Sequence, residues 1–229
     1  MSGVLYVVAT PIGHLKDITL RALETLKAVD LIACEDTRRT KILLVHHYIA
    51  TPQISFYSQN QFRKIPYLID ELKKGKNVAL VSDAGTPGIS DPGFFLVKKA
   101  IEQGIKVETI PGVSAVITAL SASGLPTDGF VFLGFLPRKK GKIKKVFEKV
   151  AGLEKTIIFY ESPYRLKKTL KIISEIFPLG SDIVVCRELT KKFEEFIRGN
   201  ASDIIGKLPE KILGEITVVI STSRIEAHE

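Results

Sequence analysis

Cysteine is scarce: Cys34 and Cys186 are the only two in 229 residues. Each sits in an apolar stretch, so they read as buried thiols and exclude a disulfide framework. No C-x-x-C pair and no H-E-x-x-H occurs, which argues against a zinc site. The adjacent His46 and His47 would point to different faces of a helix, a poor ligand pair. Also missing are a G-x-G-x-x-G after the first strand and a G-x-x-x-x-G-K-[ST] anywhere, so neither usual nucleotide fingerprint is present. No apolar run approaches the roughly 18 residues that a membrane span needs. The opening MSGVLYVVAT has no basic segment before its short apolar run, so it reads as a strand rather than a signal peptide. The expectation is a soluble cytoplasmic protein with no membrane partner and no metal.

What is present is ordinary for a globular chain, 45% hydrophobic and 25% charged residues. Those proportions exclude a disordered tail and a collagen-like chain, and the length is enough to bury a core without a metal. Against 25 Asp and Glu stand 33 Lys and Arg, a net charge of +8. That surplus favours a polyanionic partner, although net charge speaks to association rather than fold.

Short β-branched runs alternate with longer amphipathic stretches, the signature of an α/β fold. Strands are expected at Val4–Ala9, Leu31–Cys34, Val78–Val81 and Ile105–Ile110, with a helix over about Thr19–Ala28. Phe62, Ile65, Ile69 and Leu72 recur at helical spacing, and Pro66 predicts that this helix starts or kinks there. Asp91-Pro92 reads as the cap and first position of the next helix. An Ala/Ser-rich helix then ends near Ser123, and SASGLPTDG at 121–129 is the best linker in the chain. Alternation resumes with Phe130–Leu136, Thr156–Tyr160, a helix opened by Ser162-Pro163, Asp182–Cys186 and Glu215–Ser221. Two α/β domains are expected, 1–120 and 130–229, with a ligand site in the cleft between them.

The most informative segment is SDAGTPGISDPG at 82–93, which follows a strand and holds three glycines and two prolines. Ordinary βα loops run about 2–6 residues, and ligands bind at the carboxyl ends of strands in α/β sheets. ATPIGHLKD at 9–17 and Pro111-Gly112-Val113-Ser114 also follow strands, so the three turns should converge on one sheet edge. Glu35-Asp36-Thr37-Arg38 ends the second strand at that same edge. A carboxylate there would accept a proton or hold a hydroxyl, with Arg38 setting its pKa or gripping a phosphate. The alternative is a helix N-terminus, where acidic residues suit the dipole. Arg138–Lys145 (RKKGKIKK) carries six basic residues in eight: Arg138, Lys139, Lys140, Lys142, Lys144 and Lys145. Such a cluster suits a phosphate backbone and equally a solvated charged face. Arg187-Glu188-Leu189-Thr190 with Lys191-Lys192 is either a site or a structural ion pair.

Taken together, VATPIG at 8–13, EDTR at 35–38, SDAGTPGISDPG at 82–93 and PGVSA at 111–115 resemble the tetrapyrrole methylase superfamily of S-adenosylmethionine-dependent methyltransferases. GLPTD and GFLPRK at 124–139, FYESP at 159–163 and RELTK at 187–191 extend the resemblance from Val4 to about Ile220. SDAGTPGISDPG with EDTR is similar to the ribosomal RNA branch, whereas small-molecule members carry G-x-G-P-G and G-D-P at those places. The resemblance implies 2′-O-ribose methylation of a cytidine in the decoding region of 16S rRNA, within the 30S subunit, by a homodimer. A small-molecule methylase acting on a tetrapyrrole precursor and a non-catalytic RNA-binding module are the alternatives. Cofactor contacts implied for S-adenosyl-L-methionine are Ile12, Gly85, Thr86, Ile89, Ser114, Ala115, Glu161, Leu189 and Thr217, largely through backbone groups. The basic carboxylate proposed for small-molecule members falls on Glu35, with Asp36 one residue away. His14 stands where the branch usually has Asn and Tyr164 where His is common, and longer members continue into a basic C-terminal extension.

Overall fold

The computed structural model describes residues 2–177 and 181–222. The chain divides into two compact units between Ser114 and Ala115.

In the first unit, β1 (Val4–Val8), β2 (Leu31–Cys34), β3 (Gln53–Ser55), β4 (Val78–Val81) and β5 (Lys106–Ile110) form one sheet. Its order is β3-β2-β4-β1-β5 and every pairing is parallel. A parallel sheet is covered on both faces, and β4 accordingly reads Val-Ala-Leu-Val with every residue buried. Helices α1 (Leu20–Ala28) and α2 (Thr37–His46) pack Ala22, Leu26 and Leu44 on one face, against Val8, Ile32 and Ala79. The other face carries α3 (Gln61–Lys73) and α4 (Phe94–Glu102), which bring Leu68, Leu72 and Leu96 to Leu5 and Leu80. Right-handed crossovers demand this division, because the chain steps one way along the sheet from β1 and β2 and the other way from β3 and β4. The reversal falls between the neighbours β1 and β4. All five carboxyl ends lie at one edge.

Helix starts differ from the sequence expectation in two places here. α4 begins at Phe94 behind Gly93, not at Asp91-Pro92. A Cβ on Gly93 would lie 3.1 Å from the Leu80 side chain and 3.2 Å from the Gly88 amide, so this stretch packs back on its own loop. α3 runs through Pro66 from Gln61, since the proline is on the solvent side and Ile65, Leu68 and Ile69 hold the buried stripe.

The second unit has β6 (Phe130–Phe135), β7 (Thr156–Glu161), β8 (Ile183–Arg187), β9 (Glu195–Gly199) and β10 (Ile216–Ile220). Their order is β6-β7-β10-β8-β9, with β6 parallel to β7 and the other pairings antiparallel. Helices α6 (Lys140–Ala151), α7 (Leu166–Ile176) and α8 (Ala201–Lys207) cover one face through Phe147, Leu170 and Ile204. α5 (Ala115–Ser123) lies on β7, β8 and β10 with Val116, Ala119 and Leu120 buried. The division therefore precedes α5 instead of following residue 120. The segment 121–129 is also no free linker: Arg198 donates to the Ala122 carbonyl at 2.6 Å and the Thr156 hydroxyl to that of Pro126 at 2.7 Å. α7 starts at Leu166, three residues after Ser162-Pro163, whose turn is closed by the Leu166 amide on the Ser162 carbonyl. The final residues of the expected second domain, 223–229, lie outside the described residues.

Both cysteines are buried, and burial pushes the thiols up, to about 11 for Cys34 and about 12 for Cys186. Among the described residues, no helix is long and apolar enough to cross a membrane.

Candidate active site

The expected convergence of three turns is present at the carboxyl edge of the first sheet. Where strand order reverses, Thr10 and Gly85 exchange both backbone hydrogen bonds at 2.9 Å. The Thr10 hydroxyl adds a bond to the Ser82 carbonyl at 3.1 Å. Across β1, the Ala9 amide donates to the Ile110 carbonyl, and a Cβ on Gly112 would sit 2.9 Å from that of Ala9. Gly85 has φ +77°, and a Cβ there would touch Ile12 at 3.5 Å and the Val113 carbonyl at 3.7 Å. One glycine thus stands where all three loops meet. Gly88, Ser90 and Gly93 also have positive φ, a left-handed conformation that is uncommon for serine. Thr86 is half-buried, Ile89 exposed, Ile12 buried and Ser114 half-buried.

Four carboxylates gather beside these loops. Asp36 caps α2, its carboxylate accepting from the Arg38 amide at 2.9 Å, Arg38 Nε at 3.0 Å and Arg38 Nη2 at 2.7 Å. That fork holds the Asp36 carboxyl down to about 2. Arg38 is 89% exposed but already paired. Asp83 accepts from the Asp36 amide at 2.9 Å and faces Arg39 at 3.6 Å. Burial raises Asp91 to about 6, helped by the Asp83 charge and opposed by a Ser82 hydrogen bond. Burial also raises Glu35, with Asp91 and Asp83 adding to the shift. The resemblance places the basic carboxylate on Glu35 with Asp36 one residue away, and their surroundings differ: burial raises Glu35, whereas Arg38 holds Asp36 down. Neither Asp83 nor Asp91 is among the site residues expected from sequence, where Asp91 reads as a helix cap, although both acids stand in the long loop at 82–93.

In the second unit, Glu161 ends β7 with no exposed side-chain surface. Its carboxylate meets Arg165 at 2.5 Å and accepts from the Thr169 hydroxyl and the Ser162 amide, each at 2.6 Å. Arg165 in turn donates to the Leu136 and Pro137 carbonyls at 3.2 Å. Glu161 is thus an internal anchor whose carboxylate is fully used. Leu189 is buried between Glu188 and Thr190, both at positive φ. Glu188 accepts from Lys191 and from the Glu215 amide at 2.9 Å, so RELTK forms a structural ion-paired turn. Thr217 is buried mid-strand on β10, and Ala115 opens α5.

The basic segment is split. Lys140 and Lys144 pair with Glu175 of α7 at 2.9 and 2.6 Å. Arg138, Lys139 and Lys145 are exposed. Between Arg138 and Lys171, twelve Lys and Arg accompany three acidic residues, so this short stretch holds more than the whole chain's positive excess.

An open parallel sheet with a strand-order reversal and loops gathered over it is the architecture of α/β ligand-binding proteins. A family model for Tetrapyrrole (Corrin/Porphyrin) Methylases matches residues 4–205. The chain is 51% identical over 228 residues to Ribosomal RNA small subunit methyltransferase I of Streptococcus pyogenes serotype M3, covering 99% of this chain and 79% of that one. A relative of the same name from Hydrogenobaculum sp. (strain Y04AAS1) is 50% identical over 222 residues, 95% of each chain. Among solved structures, uroporphyrin-III C-methyl transferase from Thermus thermophilus, complexed with S-adenyl homocysteine, has the same fold. Its TM-score is 0.66 at 16% identity, over 98% of this chain and 100% of that one. The chain belongs to the tetrapyrrole methylase family and is a methyltransferase.

Proposed function

We propose that the protein methylates small-subunit ribosomal RNA, at the 2′-oxygen of a cytidine in the decoding region of 16S rRNA within the 30S subunit. The observation that carries this is half identity, over nearly the full chain, to relatives named ribosomal RNA small subunit methyltransferase I. In this reading it works in the cytoplasm as a homodimer.

The methyl donor is S-adenosylmethionine, which supplies a methyl group on a sulfonium cation. The loop edge of the first unit suits such a ligand, because the three loops close on Gly85, with Ile12 and Val113 beside it and Ile89 exposed. Ile12, Gly85, Thr86, Ile89 and Ser114 are the proposed contacts there. Ala115, Leu189 and Thr217 are proposed as further backbone contacts. Glu161 serves by fixing its strand end, since its carboxylate is taken. Glu35 takes the proton of the attacking ribose hydroxyl, while Asp36 holds Arg38 and the start of α2 in place.

Labelled S-adenosylmethionine and undermethylated 30S subunits, followed by nuclease mapping and mass spectrometry, test the reaction. A methyl on one cytidine ribose is expected. Label on a base, label only in a small molecule such as a tetrapyrrole precursor, or tight cofactor binding without transfer would each overturn it.

Arg138, Lys139 and Lys145, with the paired Lys140 and Lys144, are the proposed phosphate-binding side chains. Replacing Lys139 and Lys145 by Gln should reduce the slope of log affinity against log salt by about 0.7–0.9 for each phosphate no longer neutralised. The same change at Lys140 and Lys144 should do less, because Glu175 already offsets their charge. Equal slopes in all variants would remove the patch from the RNA interface.

A further inference from the structure

Strand β6 slips against β7 near its end. Phe132 lies opposite Ile158 and Phe135 opposite Tyr160, so β6 carries one extra residue between them. Gly134 takes up the bulge with φ +62°, the left-handed turn such bulges use. The consequence is a change of face. In regular alternation Phe135 would follow Leu133, which packs against the core beneath α6, α7 and α8. The bulge instead brings Phe135 to the side of Phe132 and Tyr160. There the residue is 63% exposed, its ring 5.3 Å from the Tyr160 ring, which itself meets Phe132 at 5.0 Å.

The exposed ring stands at the root of the most basic stretch in the chain. Only Leu136 and Pro137 separate it from Arg138 and Lys139, a reach of about 10 Å of extended backbone. Those two intervening carbonyls are gripped by Arg165 at 3.2 Å, and Arg165 is held by the buried Glu161. Ring and cations are therefore carried on one braced segment. An aromatic face beside exposed cations matches an unpaired nucleotide, which offers a π-face and a phosphate together.

We propose that Phe135, backed by Tyr160, is a platform on which one unpaired nucleobase of the RNA stacks while Arg138 and Lys139 hold adjoining phosphates. This rests on the RNA reading above and adds base stacking to its phosphate binding. The bulge serves to turn the ring out toward the base.

A short single-stranded oligoribonucleotide carrying 2-aminopurine tests this with the full chain. Stacking on the wild type and on Phe135→Tyr should quench the fluorescence. Phe135→Ala should lose the quench and bind about 5- to 100-fold more weakly, with its salt slope unchanged. Arg138→Gln and Lys139→Gln should keep the quench and flatten the slope. Wild-type quench and affinity in Phe135→Ala would overturn the platform. So would a loss of S-adenosylmethionine affinity in that variant, or a change in sedimentation at unchanged RNA affinity, which would make the ring a cofactor or subunit contact. If the wild type methylates 30S subunits and Phe135→Ala matches it in every measurement, the platform alone fails. If the wild type neither binds RNA nor methylates it, the platform and the RNA reading fail together.

Discussion

Glu35→Gln is expected to lower methyl transfer to RNA about 10²- to 10⁴-fold, the range of positioned general bases, while S-adenosylmethionine binds as before. A ribose hydroxyl becomes a competent nucleophile as its proton leaves, and a useful base has a pKa near the working pH. Asp36 does not qualify, because the Arg38 fork holds its carboxyl at about 2. Glu35 does, since burial and the charges of Asp91 and Asp83 raise it above the usual carboxylate value. A base works only when deprotonated, so the rate should climb as pH rises through the raised Glu35 value. Asp91→Asn removes a neighbouring negative charge and should move that acid limb to lower pH. Asp36→Asn removes the smallest of the charges that raise Glu35 and should move the limb the same way by less. A wild-type rate in Glu35→Gln would return the acidic pair to capping a helix.

Glu161→Ala is expected to destabilise the second unit by about 3 kcal/mol, as breaking a buried ion pair does. The low end of that range applies because Arg165 is 26% exposed and can turn partly to water. The loss is compound: the Thr169 hydroxyl and the Ser162 amide lose their acceptor, and Arg165 loses what aims it at the Leu136 and Pro137 carbonyls. Glu161→Gln keeps the shape and an acceptor oxygen and should cost less. Urea unfolding followed by circular dichroism measures both. An unchanged midpoint in Glu161→Ala would show that the network contributes nothing to stability.

The first unit was largely legible because parallel strands covered on both faces announce themselves as short apolar runs. β4 is the clearest, four buried residues between Asn77 and the Ser82 loop. The convergence of the three turns followed from strand direction alone. What escaped was held by polar groups distant in sequence. Nothing local says that Lys140 and Lys144 meet Glu175, or that α5 leaves the first sheet for the second. β9 and α8 went unread because Glu195–Gly199 has little apolar alternation and α8 is only seven residues long. A local signal did exist at Asn200, whose side chain caps the Ser202 and Asp203 amides at 2.9 and 3.0 Å. At the candidate site, EDTR marks two adjacent acids alike, but the burial of Glu35 and the Arg38 fork on Asp36 give them different surroundings that no local pattern shows.

The reciprocal bonds between Thr10 and Gly85 have a mechanical meaning. The loop after β1 and the loop after β4 leave the sheet in opposite directions, yet each amide closes on the other's carbonyl at 2.9 Å. Neither loop lifts by itself without opening both bonds. The edge therefore behaves as one latch, and the two amides should show the same protection against hydrogen exchange, once each is corrected for its intrinsic rate, with a bound cofactor raising it equally for both.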